Sequence, residues 1–136
     1  MIMTVQITYK VNAEINALEL SSVFRASGIK RPVDDLPRLG RMIEHADILI
    51  SAWDGNQLVG IARAITDFSY CCYLSDLAVN KNYQKNGIGK ELISLVKDEL
   101  GEEVALLLLA SQEAMKYYPR IGFNEIDNGF KIARKR

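Results

Sequence analysis

The residues of this chain best suited to chemistry run from Leu74 to Lys90. Leu74-Ser75-Asp76-Leu77-Ala78-Val79 reads as a strand, Asn80 to Tyr83 as a turn, and Gln84-Lys85-Asn86-Gly87-Ile88-Gly89-Lys90 as the start of an amphipathic helix. A helix start leaves N–H groups unpaired and carries partial positive charge, so it suits a phosphate. Gly87 and Gly89 allow positive φ and let backbone approach an anion with no Cβ in the way. Lys85 and Lys90 add charge at the same end. A ligand-free strand-to-helix turn would use the same glycines, so Gly-x-Gly alone does not decide. Two commoner phosphate motifs are excluded. A P-loop needs Ser or Thr after Gly-Lys, where this chain has Glu91, and a dinucleotide fingerprint needs a third glycine, where it has Leu92.

The elements that must position this stretch follow from periodicity. Val5, Ile7 and Tyr9 alternate as a first strand. Asn12 is a candidate cap for a helix from Ala13 to Ala26, ended by Gly28, and a second helix begins at Asp34 or Asp35 with Pro37 in its first turn. Ile48 to Trp53 and Gln57 to Ile65 form a hairpin across Asp54-Gly55-Asn56. Tyr73 to Val79 is the next strand and Gly87 to Leu100 the clearest helix, with Gly101 as its cap. Val104 to Ala110 has the composition of a strand buried on both faces. A short helix from Gln112 to Tyr118, stopped by Pro119, precedes a closing hairpin of Phe123 to Ile126 and Phe130 to Ala133. The order β-α-α-β-β-β-α-β-α-β-β describes an α/β chain of one domain, residues 1–136, around a mixed sheet flanked by helices.

Composition bounds the function. The 17 basic and 17 acidic residues cancel, which disfavours nucleic acid as a partner. No apolar run reaches the ~18 residues of a membrane helix. Adjacent Cys71 and Cys72 point to opposite faces of a strand and read as reduced thiols of a cytoplasmic protein. A single histidine, His45, and no spaced cysteines leave a metal without ligands.

At the motif residues the chain resembles the GNAT superfamily of acyl-CoA N-acyltransferases. Gln84-Lys85-Asn86-Gly87-Ile88-Gly89 matches the family's pyrophosphate motif, Gln/Arg-x-x-Gly-x-Gly/Ala, at every fixed position. Asp76-Leu77-Ala78-Val79 resembles the family's splayed fourth strand. Ser111-x-x-Ala114-x-x-x-Tyr118-x-x-x-Gly122-Phe123 resembles its second signature, with Ser111 where the family usually has Asn. The resemblance implies a GNAT-like fold whose sheet splays between strands 4 and 5, with acetyl-CoA in the opening. Leu77, Ala78 and Val79 would hold the pantetheine arm, and Gln84, Lys85, Asn86, Gly87, Ile88, Gly89 and Lys90 the pyrophosphate. Ser111 and Tyr118 would complete the cofactor contacts.

The implied chemistry is direct attack of an amine on a thioester. A primary alkylamine has a pKa near ~10.4, so it must lose a proton first, to a carboxylate or a water chain ending in one. Asp76 is the nearest motif carboxylate: a base, a substrate ligand, or the residue that fixes a strand bulge. Tyr73 stands where some family members carry Glu, and lines the amine pocket or packs. Tyr118 is placed by the resemblance to donate to the departing thiolate, with a core aromatic as the alternative. Its neighbour Tyr117 is expected to be neutral. Gly28 to Pro32 and Arg63 to Tyr70 are the expected substrate walls, with Arg31, Trp53 and Asp67 as candidates. The resulting expectation is an N-acetyltransferase acting on a small-molecule or peptide amine. The alternatives are an acyl-CoA-binding regulator without catalysis and a transferase of longer acyl chains. No metal, nucleic acid or membrane is implied, and a homodimer is compatible with this reading.

Overall fold

The structure, a computed structural model, describes residues 6–136. Five strands form one sheet in the order of the chain: β1 (Thr8–Val11), β2 (Ile48–Asp54), β3 (Gln57–Thr66), β4 (Cys71–Val79) and β5 (Ala105–Leu108). The first four are antiparallel neighbours, and β5 joins β4 in parallel. A parallel neighbour needs a crossover, supplied here by helix α3 (Ile88–Asp98).

Alternation along β2 and β3 feeds two cores. Ile48, Ile50, Val59, Ala62, Ala64, Cys72 and Leu74 face α3, which answers with Ile88, Leu92, Ile93 and Val96. On the opposite face Leu49, Trp53, Ile61 and Ala78 meet α1 (Ala17–Ser27) and α2 (Leu36–Glu44) through Leu20, Val23, Phe24 and Leu39. Each fully buried side chain of this size is worth about 1.5–3 kcal/mol, so the sheet is fixed from both sides.

The cap of α1 is Asn16, not Asn12. Asn16 accepts from the Glu19 N–H at 2.8 Å, and Glu19 accepts from the Asn16 N–H at 3.1 Å, a reciprocal pair worth more than a lone cap. Asn12 instead has φ 55° and exchanges hydrogen bonds with the Leu49 backbone. Asp35 caps α2, and Pro37 lies in its first turn. Helix α3 ends at Glu99 rather than at Gly101.

The largest departure from the sequence reading lies after α3. Strand β5 is four residues long and is not buried on both faces: Leu107 is 44% exposed and the following Leu109 64%. The expected closing hairpin is absent, for residues 123–136 form no strand and Phe130 and Ile132 stand in solvent. Each arm of that hairpin offers only two large apolar side chains, and a two-stranded hairpin is marginal unless it docks. The helix expected from Gln112 is a 3-10 turn, Gln112–Ala114, followed by a short α4 (Tyr117–Arg120) that includes Pro119. Val5 lies outside the described residues.

Candidate active site

Strands β4 and β5 pair from Cys71/Ala105 to Leu74/Leu108 and then part. At the parting point β4 carries a bulge. Arg63 of β3 faces Asp76 and Ala64 faces Leu74, which leaves Ser75 as the extra residue. The bulge also changes which side chains share a face. Tyr73 lies opposite Ile65 and Asp76 opposite Arg63, so Tyr73 and Asp76 come to the α1/α2 side although an unbroken strand would separate them.

Asp76 is fully buried, and both its oxygens are taken. Arg31 Nε donates to Oδ1 at 2.6 Å and Arg63 Nε to Oδ2 at 2.5 Å. Arg31 Nη2 donates to the Ser75 carbonyl at 2.7 Å and Arg63 Nη2 to the Ser75 hydroxyl at 2.9 Å. This geometry fits Asp76 as the residue that fixes the bulge. A carboxylate enclosed by two guanidiniums is poorly placed to take a proton from an amine. Arg63, expected in a substrate wall, is one of these buried partners, and Tyr73 is 40% exposed on the same face.

Beyond Val79 the chain makes a 3-10 turn over Lys81–Tyr83, braced by Asn80 Oδ1 accepting from the Asn82 N–H at 2.9 Å. Gln84 donates through Nε2 to the Val79 carbonyl at 3.0 Å, and Asn86 through Nδ2 to the Tyr83 carbonyl at 3.0 Å. The Tyr83 hydroxyl donates to Asp54 at the end of β2. These bonds use Gln84 and Asn86 as braces. Lys85 and Gly87 take left-handed conformations with φ 71° and 76°, and Gly87 caps α3 with no side-chain oxygen. A Cβ built on Gly87 would meet open space. The first turn of α3 therefore presents backbone N–H groups past a bare glycine, which fits a phosphate.

Gly89 has a different reason to be glycine. A Cβ there would collide with the hydroxyl of Tyr117, which lies over the start of α3. Tyr117, expected to be neutral, is the side chain that fills this space. Tyr118 packs against the α3-side core, edge to face with Phe123 and with Tyr117 at ring centroid distances of 5.5 and 5.3 Å. Burial pushes its phenol above the usual value, the nearby Tyr117 adds to this, and the charge of Arg31 opposes it. Ser111, a cofactor candidate, is exposed at the start of the 3-10 turn that follows β5.

A cavity of about 1030 Å³ runs along β5 and is lined by Leu107, Leu109, Met115, Tyr118 and Phe130 among others. It follows the strand edge that the expected hairpin would have covered and does not include the α3 start. Cys72 is buried, which pushes its thiol up, and Cys71 is exposed and unbridged. His45 is exposed at the end of α2. Among the described residues no three His, Cys, Asp or Glu are grouped to hold a metal, and no helix is long and apolar enough to cross a membrane.

Residues 22–133 match the family described as an acetyltransferase (GNAT) domain. The Porphyra purpurea protein ycf52, described as an uncharacterized N-acetyltransferase, is 29% identical over 124 residues, covering 86% of this chain and 70% of that one. A GNAT-family acetyltransferase structure from Streptococcus pneumoniae superposes with a TM-score of 0.74 at 22% identity, covering 96% of this chain and all of that one. An aminoglycoside N-acetyltransferase in complex with CoA gives 0.69 at 17%, covering 96% of each chain. At such identities the structural likeness concerns the fold.

Proposed function

The chain belongs to the GNAT acetyltransferase family and is an acyl-CoA-dependent N-acyltransferase, and from that premise we propose that residues 1–136 act as one domain that acetylates a primary amine of a small molecule or peptide, with acetyl-CoA as donor. The observation that carries this reading is the parting of β4 from β5 beyond Leu74, beside the start of α3, which has no side-chain cap. The edge of β4 at Leu77, Ala78 and Val79, unpaired with β5 and with only the Val79 carbonyl taken by Gln84, suits the amide groups of a pantetheine arm, and the N–H groups of Ile88, Gly89 and Lys90 suit a pyrophosphate. Lys85 lies in the same turn, and Ser111 lies past the end of β5.

Acetyl-CoA supplies an activated acyl group and a thiol leaving group, so the protein has to orient the donor, polarise a carbonyl and supply a proton. Backbone N–H groups at the bulge edge of β4 can polarise without reorganising, because the bulge is held rigidly. Tyr118 is the assigned proton donor: a phenol is protonated at neutral pH, and burial shifts this one further in the same direction. Asp76 is assigned to the bulge, and Tyr73, exposed on the same face, to the acceptor side. The amine proton then leaves through water, since no free carboxylate is assigned to it. The proposed compartment is the cytoplasm, where the free thiols of Cys71 and Cys72 would stay reduced.

Acetyl-CoA at 100 times its Kd should raise stability by about 2.7 kcal/mol, and adenosine by much less. Amines screened for acetyl-CoA-dependent thiol release should then reveal the acceptor class. Equal stabilisation by both ligands, or by neither, removes the reading. A longer acyl chain is the second reading, favoured by the apolar cavity beside Leu107 and Leu109. Faster turnover with octanoyl-CoA than with acetyl-CoA would select it.

A further inference from the structure

The bulge in β4 creates a problem that Arg31 solves. A bulge residue loses its ladder partner, so its backbone groups need other ones. Arg31 reaches three acceptors with one guanidinium: Asp76 Oδ1 at 2.6 Å, the Ser75 carbonyl at 2.7 Å and the Lys30 carbonyl of its own loop at 2.6 Å. Its planar fork makes these bonds at fixed mutual angles, which a lysine ammonium cannot reproduce. Arg63 is fixed within β3, but Arg31 arrives from the segment between α1 and α2. That segment is itself pinned. Ser21 Oγ donates to the Val33 carbonyl at 2.8 Å, Arg25 pairs with Asp34, and Gly28 turns the chain with φ 81°. The clamp therefore ties a braced loop on one face to the strand that parts from β5. Arg31 is also the member most open to solvent, with 27% of its side chain exposed against 10% for Arg63 and none for Asp76.

We propose that Arg31 is a positioning residue, holding the β4 bulge from the α1–α2 loop so that the free edge of Leu77 to Val79 keeps its course away from β5. The assignment rests on the reading of that edge as the acyl-donor site. Arg31 acts through the strand and touches no reacting atom. Its charge also opposes the upward push on the Tyr118 phenol, which puts the loop and the tyrosine within one electrostatic field.

The test compares Arg31→Lys, Arg31→Met and the control Arg25→Met, all in the full chain and checked for folding by circular dichroism. Amide hydrogen exchange is the readout that does not depend on activity. In Arg31→Lys, amides of Ser75 to Val79 and of the 28–35 loop should exchange about ten-fold faster or more, while those of α3 keep their rates, as expected for local opening. Arg31→Met should loosen the same amides at least as much, because it removes every donor. Arg25→Met breaks only the exposed pair with Asp34 in the same loop, so Ser75 to Val79 should keep their rates. From wild type to Arg31→Lys, kcat should fall about ten-fold with KM for acetyl-CoA changed less than about three-fold, the signature of a misplaced donor carbonyl.

Exchange unchanged in Arg31→Lys, or raised equally in α3, overturns the proposal. Equal loosening of Ser75 to Val79 by Arg25→Met does so as well, because any disturbance of the loop would then suffice. Local loosening with kcat unchanged overturns it too, leaving Arg31 a structural brace. If the wild type neither binds acetyl-CoA nor releases thiol, the functional reading fails, and the exchange pattern alone still decides whether Arg31 holds the bulge.

Discussion

The turn from Gln84 to Lys90 and the bulge at Ser75 lie at the two ends of the same short strand segment, yet they are built in opposite ways. The turn is local. Its shape comes from consecutive residues, with left-handed Lys85 and Gly87 and braces from Gln84 and Asn86 that reach no further than five positions. The bulge is assembled from afar. Arg31 and Arg63 stand 45 and 13 positions from Asp76, and the carboxylate they enclose has no contact with water. A local turn spends backbone conformation, so a wrong side chain strains it by a modest amount. A buried charge cluster has no intermediate state, and removing one member leaves the others desolvated and unpaired.

That difference predicts a ranking of damage. Asp76→Ala should be the most harmful change, costing about 3–5 kcal/mol in denaturant unfolding because two guanidiniums lose their partner. A loss below about 1 kcal/mol would mean that water replaces the carboxylate, and the contrast with the turn would collapse.

Tyr118→Phe comes next and tests chemistry rather than stability. The variant keeps the ring and removes one oxygen, so kcat should fall about ten-fold or more with little change in acetyl-CoA affinity. The phenol is raised by burial, so its proton is retained below the ordinary tyrosine value of ~10 and lost only as pH climbs past the raised folded value. The ratio of wild-type to variant rates should therefore stay constant from about pH 7 to about 10 and shrink above it. The same sign applies to stability: the contribution from burying the neutral ring is complete below about pH 10 and fades at higher pH. A ratio that changes near neutral pH would point to another donor.

Within the turn, Gly87→Val should cost about 1–2 kcal/mol for its left-handed φ and weaken CoA binding, whereas Gly101→Ala, with open space around it, should be nearly silent. Gly89→Ala should be harmful through Tyr117 alone. Adding Tyr117→Phe should restore part of the loss, with a coupling of about 0.5–3 kcal/mol in a double-mutant cycle. Additive losses would show that Tyr117 moves aside freely.

The smallest effect concerns the loop after β3. Asp67 Oδ1 accepts from the N–H groups of Ser69, Tyr70 and Cys71, which hold its carboxyl below the usual range. The group's pKa is lowered, so its support is present above the ordinary carboxylate value of ~3.9 and is lost as pH falls through the lower folded value. Protection of those three amides, measured against the intrinsic exchange rate at each pH, should fall only at acid pH, and Asp67→Asn should abolish that dependence.

Legibility in the sequence follows the same division. The β2–β3 hairpin, the amphipathic α3 and the Gly-x-Gly turn carry their signals in adjacent residues, and each is found where periodicity and turn chemistry put it. Asn16 shows how a near miss arises: Asn12 and Asn16 can both cap, and Glu19, three positions after Asn16, is the residue that separates them. The clamp leaves a single trace, Arg63 within the apolar run from Leu58 to Ile65. A charge inside a buried strand demands a partner, but nothing in the chain says which of 17 acidic residues supplies it. Tyr117 and Tyr118 are equivalent as letters, and only helix phase sends one hydroxyl to Gly89 and the other ring to Phe123. The terminal hairpin shows the converse, where a sound turn signal at Asp127-Asn128-Gly129 lacks the long-range packing to complete a strand.

Titrating the full chain with CoA while following backbone amide chemical shifts locates the bound donor. The largest shifts should fall on Gly87 to Lys90 and on Leu77 to Val79, with the Ser75–Asp76 bulge unmoved. Shifts confined to the cavity along Leu107 to Leu109, with the α3 start silent, would contradict it.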